Sequence, residues 1–260
     1  MVIRMGAPLR KIMLLFVLVA FVLPMASSAW GDERRPLIAV VVDDFGYSIE
    51  EAEKISKLSI PLTWAIIPYQ KHSRDTAEMC RKKGVPFILH LPMEAIVEGN
   101  SRQSLVRVGM SDESIRLAVR NALWSLPGVA GLNNHRGSRA TGNRSVMESV
   151  LREVAAEGLF FVDSRTSGGS VAYLMAVEMG VPATMNRIFL DHEAREDFMW
   201  SQFEKARAIA LKRGGAVVIC HVRAETIRFL SGLYEKASGD VEFVTVPEYL
   251  EQKSIGGWEE

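Results

Sequence analysis

The chain has 260 residues, with 31 Lys and Arg against 31 Asp and Glu, so its formal charge is zero. Residues 1–29 hold three of the basic side chains and no acidic one, which leaves 28 against 31, a charge of −3, on the remainder. That balance leaves no electrostatic footprint for nucleic acid, and the roughly 230 residues that remain fit one α/β domain.

Arg4, Arg10 and Lys11 precede an uncharged apolar run from Ile12 to Met25, and the small residues Ser27, Ser28 and Ala29 follow. This is the order of a secretory signal peptide over residues 1–29, and the run is short for a comfortable membrane span. The expected product is exported, periplasmic, and without stable membrane association after cleavage, with residues 30–260 forming one catalytic domain. Only Cys80 and Cys220 are present. Both sit in apolar patterns that suit small buried hydrophobes, and a disulfide between them stays open.

From residue 37 onward, short β-rich runs alternate with amphipathic helical stretches. Leu37 to Val42 reads as a strand that ends in Asp43-Asp44-Phe45-Gly46-Tyr47, and a helix from Ile49 to about Leu58 follows. Leu62 to Ile67 is a second strand. A helix over Thr76 to Lys83 stops at Gly84, a natural C-cap, before a third strand from Phe87 to Leu91. The polar stretch from Glu94 to Gly109 is long for a βα connection and reads as a lid or substrate-contacting loop. Ser111 then caps a helix whose first turn holds Asp112 and Glu113. Further strands are read at Val129 to Leu132, Leu159 to Val162, Arg187 to Leu190, Ala216 to Cys220 and Val241 to Val246. Seven or eight such units suggest an irregular or incomplete (β/α) barrel of mainly parallel strands, with a doubly wound open sheet as the rival.

Unusual polar residues gather at the strand ends: Asp43 and Asp44, His90, Asn133-Asn134-His135, Asp163, Asp191-His192, and His221. In a parallel fold these ends share one face, so residues far apart in sequence converge. Two adjacent carboxylates repel unless a cation or proton separates them. One carboxylate with two imidazoles matches the ligand set of a catalytic zinc-type centre, and a second carboxylate and a further His supply a base and an acid. His72 reads as a surface residue at a helix start, and His192 as part of an exposed turn. The Ser167-Gly168-Gly169-Ser170 segment lacks the Lys and spacing of a phosphate loop and reads as a turn and helix cap.

As a set, Val42-Asp43-Asp44-Phe45-Gly46-Tyr47, His90-Leu91-Pro92-Met93-Glu94, Asn133 to Ser138, Phe160 to Thr166 and the strand into His221 resemble the divergent polysaccharide deacetylase family, relatives of the carbohydrate esterase family 4 deacetylases. The resemblance covers nearly all of the chain after residue 29. It implies an incomplete barrel and metal-assisted removal of acetyl from an N-acetylated sugar polymer or oligomer. It assigns Asp43 as base, Asp44 and His90 as ligands of a divalent ion, zinc first, and His221 as acid. The related deacetylases have a second ligand His four residues after the first, where this chain has Glu94. The third ligand is therefore assigned to His135, with Glu94 a weaker candidate. Asp163 is expected to orient a neighbouring catalytic group, and Arg136 or Arg165 to pair with a site carboxylate. Two other readings compete: a non-catalytic envelope protein that binds glycan or a protein partner, and a glycosidase using Asp43 or Asp44 with Asp163.

Overall fold

A computed structural model describes residues 35–97 and 104–256. The expected signal segment lies outside the described residues, as does part of the polar stretch after Glu94. Eight strands alternate with helices in chain order: β1 (Leu37–Phe45), α1 (Ile49–Ile55), β2 (Thr63–Ile66), α2 (Ser73–Lys83), β3 (Phe87–Met93), α3 (Asp112–Ser125), β4 (Gly131–Arg136), α4 (Arg144–Ala156), β5 (Phe160–Asp163), α5 (Ala172–Glu178), β6 (Ala183–Phe189), α6 (Glu196–Arg213), β7 (Gly215–His221), α7 (Ala224–Ala237), β8 (Glu242–Val244) and α8 (Val246–Gly256).

The helix ends follow from local chemistry. Ser48 Oγ accepts from Glu51 N, Ser111 Oγ from Ser114 N, and Asn143 Oδ1 from Val146 N, each satisfying an otherwise orphaned first-turn donor. Gly84 closes α2 at φ +68° and Gly214 closes α6 at φ +85°, backbone angles that disfavour a side chain.

All strand pairings are parallel, and they run in the order β2-β3-β4-β5-β6-β7-β1 with β1 also paired to β2. The ring therefore closes at seven strands, and the open doubly wound alternative is excluded. β8 is a short addition. It pairs with Leu37, Ile38 and Ala39 of β1, while the far end of β1 pairs with β2 from Val41 onward. One edge of β1 thus serves two partners in succession. The expected strand from Val241 to Val246 shortens to three residues because Val246 already opens α8, with its N–H bonded to Thr63 Oγ1.

Closure also explains the unbroken apolar runs, since both faces of each strand are covered. Ile38, Val40 and Val42 pack outward under the helices. Leu37, Ala39 and Val41 point into the barrel, where they meet Ile88, Val162 and Ile219. Tyr249 of α8 is buried in this inner cluster and fills the barrel at the end where strands begin. Cys80 and Cys220 are buried and unbridged, in keeping with their reading as small hydrophobes.

Two expected boundaries are corrected. β4 continues through Asn133, Asn134, His135 and Arg136, because pairing with β3 runs to Met93↔Arg136 even though the apolar pattern has stopped. β6 begins at Ala183, earlier than the expected Arg187, and carries a register shift between Asn186 and Ile188 that interrupts the alternation.

Candidate active site

The C-terminal ends of the strands surround a cleft of about 310 Å³, lined by Asp43, Asp44, His90, His135 and His221 together with neighbours from β4, β6 and the segments that follow β5 and β6. Inward alternation along β1 delivers Asp43, along β3 His90, along β4 Asn133 and His135, and along β7 His221.

Asp44 needs a different device, because successive strand residues face opposite sides. Between the pairs Val42↔Trp64 and Phe45↔Ile66 the register shifts, so β1 carries one residue more than β2. Asp44 sits in this bulge at φ +71°, in the left-handed region. The bulge turns the second carboxylate toward the cleft as well. It is held on its far side by Phe45, whose ring stacks on Trp64 with centroids 4.2 Å apart, and by Gly46 at φ +118°, where a Cβ would come within 2.9 Å of Ser73 Oγ.

Asp44, His90 and His135 form a tight triangle. Asp44 Oδ1 lies 3.3 Å from His90 Nε2 and 3.2 Å from His135 Nδ1, and the two nitrogens are 3.1 Å apart. Asp44 Oδ1 is buried and has no hydrogen-bond partner among the described residues. Bonds of ~2.0–2.1 Å to a tetrahedral ion place ligand atoms about 3.3 Å apart, so an orphaned carboxylate oxygen facing two imidazoles fits a zinc-type ion well. Burial works against the charge on Asp44, but the imidazoles of His135 and His90 outweigh it and hold the carboxyl well below the usual range. His90 is fully buried, yet Asp43 and Asp44 overcome that penalty and raise its basicity. His135 is lowered by burial, with the nearby His90 adding to the effect.

Asp43 is 2% exposed, and its Oδ2 lies 3.5 Å from His90 Nε2. Burial pushes its carboxyl above the usual carboxylate range, against the opposing pull of His90 and His221. On the adjacent strand, level with Asp43, His221 Nδ1 is 2.8 Å from Asp191 Oδ1, and the other oxygen of Asp191 accepts from His221 N and Thr226 Oγ1. Burial disfavours the imidazolium of His221, but the Asp191 carboxylate outweighs it and raises the pKa. The Phe189 ring stacks beside His221 with centroids 6.0 Å apart.

Among the other polar residues singled out in the sequence, Arg136 and His192 border the cleft, whereas Asp163, Glu94, Arg165 and His72 lie outside it. Asp163 is wholly buried behind the cleft and accepts from Arg165 N, Ser170 Oγ and Tyr173 N, which fixes the turn into α5. No contact joins it to His90, His135 or His221 among the described residues. Glu94 Oε2 accepts from Val108 N, and its Oε1 faces Arg139 at 3.4 Å, so this carboxylate ties the returning loop to the barrel rim. That loop comes back to β3 through a bridge between Met93 and Val106. Arg136 lines the cleft at φ +58° and donates to Val97 O, whereas Arg165 is exposed and outside it. His192 lies exposed at the rim, and His72 pairs with Asp75 on the surface at the start of α2. Sequence reasoning gave no role to Asn133 or Asp191. Both stood among the strand-end polar residues, and Asn133 also opened one of the segments that carry the family resemblance.

Residues 40–250 match the family described as divergent polysaccharide deacetylase. An uncharacterized protein of Haemophilus influenzae is 31% identical over 207 residues, which cover 80% of this chain and 74% of that one. Among solved structures, an uncharacterized protein from Agrobacterium tumefaciens superposes with a TM-score of 0.78 at 21% identity, covering 85% of this chain and 91% of that one. The catalytic domain of a peptidoglycan N-acetylglucosamine deacetylase from Eubacterium rectale does so with a TM-score of 0.50 at 10% identity, covering 82% and 90%.

Proposed function

The chain belongs to the divergent polysaccharide deacetylase family, and from that premise we propose that it is an exported metal-dependent hydrolase that removes acetyl from an N-acetylated sugar polymer or oligomer of the cell envelope. The observation that carries this reading is the Asp44, His90 and His135 triangle, set in one cleft with a buried Asp43 and the His221–Asp191 pair. Export rests on the basic, apolar and small-residue order of residues 1–29.

A divalent cation held by Asp44, His90 and His135, zinc being the first choice, would polarise the acetyl carbonyl as a Lewis acid. The remaining work falls to side chains. Asp43 takes a proton from water as the water oxygen attacks the acetyl carbon, a role suited to a carboxyl of raised basicity. His221, oriented through Nδ1 by Asp191, then gives a proton to the departing sugar nitrogen. Acetic acid and the free amine leave, and the proton held by Asp43 passes through solvent back to His221, so atoms and charge balance. Phe189, beside His221, offers an apolar wall to the acetyl methyl or a sugar ring.

Metal content of the purified protein tests this reading directly. Near-stoichiometric zinc in the wild type, lost in Asp44→Ala and His135→Ala variants that keep their circular dichroism, is the expected result. Full occupancy in both variants would show that the ligands have been assigned wrongly. A folded wild type that takes up no zinc would favour the rival reading of a non-catalytic glycan-binding protein.

A further inference from the structure

Asn133 is wholly buried at the centre of the site, on β4 between β3 and β5. Its Nδ2 donates to Asp43 Oδ1 at 2.9 Å and faces Ser164 Oγ at 3.2 Å, while its Oδ1 lies 2.7 Å from His90 Nδ1. An ionised carboxylate only accepts hydrogen bonds, so it draws the NH₂ end of the amide toward Asp43. The carbonyl end is then left for His90, and a carbonyl oxygen demands a proton on Nδ1. The neutral ring must therefore keep its lone pair on Nε2, the nitrogen that stands in the triangle with Asp44 and His135. The opposite tautomer would leave Nδ1 without a proton against an amide oxygen and direct an N–H into the triangle.

We propose that Asn133 is a positioning residue that couples the Asp43 carboxylate to the ligand His90, its amide orientation selecting the tautomer in which Nε2 can bind a cation. The assignment rests on the metal-centre reading above but concerns a residue outside the ligand set. It makes one amide responsible for two things: the direction of a base oxygen and the donor state of a ligand.

The decisive comparison is zinc affinity, by chelator competition, of the full chain and of Asn133→Ala and Asn133→Asp. Loss of a partner that fixes a ligand His costs ~10- to 100-fold in metal affinity, and that loss is expected for Asn133→Ala. Asn133→Asp keeps an acceptor for His90 Nδ1, and a proton shared with Asp43 across the same 2.9 Å contact replaces the amide donor, so it should bind zinc within a few-fold of wild type. A residue that merely fills space predicts equal loss in both, and equal loss, or no loss in either, overturns the proposal. Histidine ¹⁵N–¹H correlation spectra of the metal-free wild type, taken at alkaline pH, give a readout that needs no variant. A His90 protonated on Nδ1 supports the assignment, and one protonated on Nε2 overturns it. If the wild type binds no zinc at all, the metal-centre reading fails, and the tautomer still decides the role of Asn133 separately.

Discussion

Asp43 and Asp44 are neighbours of the same chemical type, yet their surroundings drive them apart. The carboxyl of Asp43 is buried and rises in basicity, while that of Asp44 faces two imidazoles and falls. Divergence of this kind separates a base from a ligand. Asp43→Asn keeps shape and ligand set, so zinc content should stay at the wild-type level while deacetylation falls by ~10²- to 10⁴-fold, the usual worth of a general base. Zinc analysis and a release assay for acetate on the same preparation check both halves. The partner of His221 gives a pH prediction. A raised pKa keeps the imidazolium intact to higher pH, so the alkaline limb of kcat/KM lies above the ordinary imidazole value. In Asp191→Asn the supporting charge is gone, and that limb should move to lower pH. A limb that stays in place would remove His221 as the acid.

At the scale of elements, much of the fold was legible because buried parallel strands announce themselves as aliphatic runs, Gly84 marks a helix end through its backbone geometry and Ser111 a helix start through its side-chain cap. Strand ends were less legible where function replaces the apolar pattern. Asn133, Asn134 and His135 extend β4 although no periodicity shows it, since their pairing is dictated by β3. The bulge at Asp44 was likewise hidden, because a register shift depends on the partner strand. Glu94 and Asp163 carried the right residue types at strand ends but serve backbone donors of nearby loops, a distinction that only distance reveals. Packing inside the barrel sets another prediction. A Cβ on Gly131 would lie 2.5 Å from the Phe160 ring of the next strand. Gly131→Ala should therefore destabilise by ~1–3 kcal/mol through overpacking, seen as a lower urea midpoint at unchanged slope.

For the whole molecule, the barrel is built at one end for chemistry and at the other for closure. Tyr249 fills the closed end from α8, and its replacement by Ala should cost ~3–5 kcal/mol, in the range for deleting a buried ring. The same change should leave zinc affinity near wild type, because the cleft lies at the opposite ends of the strands. Thermal melting with and without zinc separates the two effects. The double service of β1 has a further consequence, in time rather than in space. Leu37 pairs with Gly215 and with Glu242, residues that leave a ribosome long after it. Until they arrive, β1 presents an open edge along both sides of its first half, so the ring cannot shut before β7 has been made. Such distant pairing slows folding, and an unpaired aliphatic edge invites association with other chains. A nascent chain stopped before β7 therefore needs a protector that the finished barrel does not.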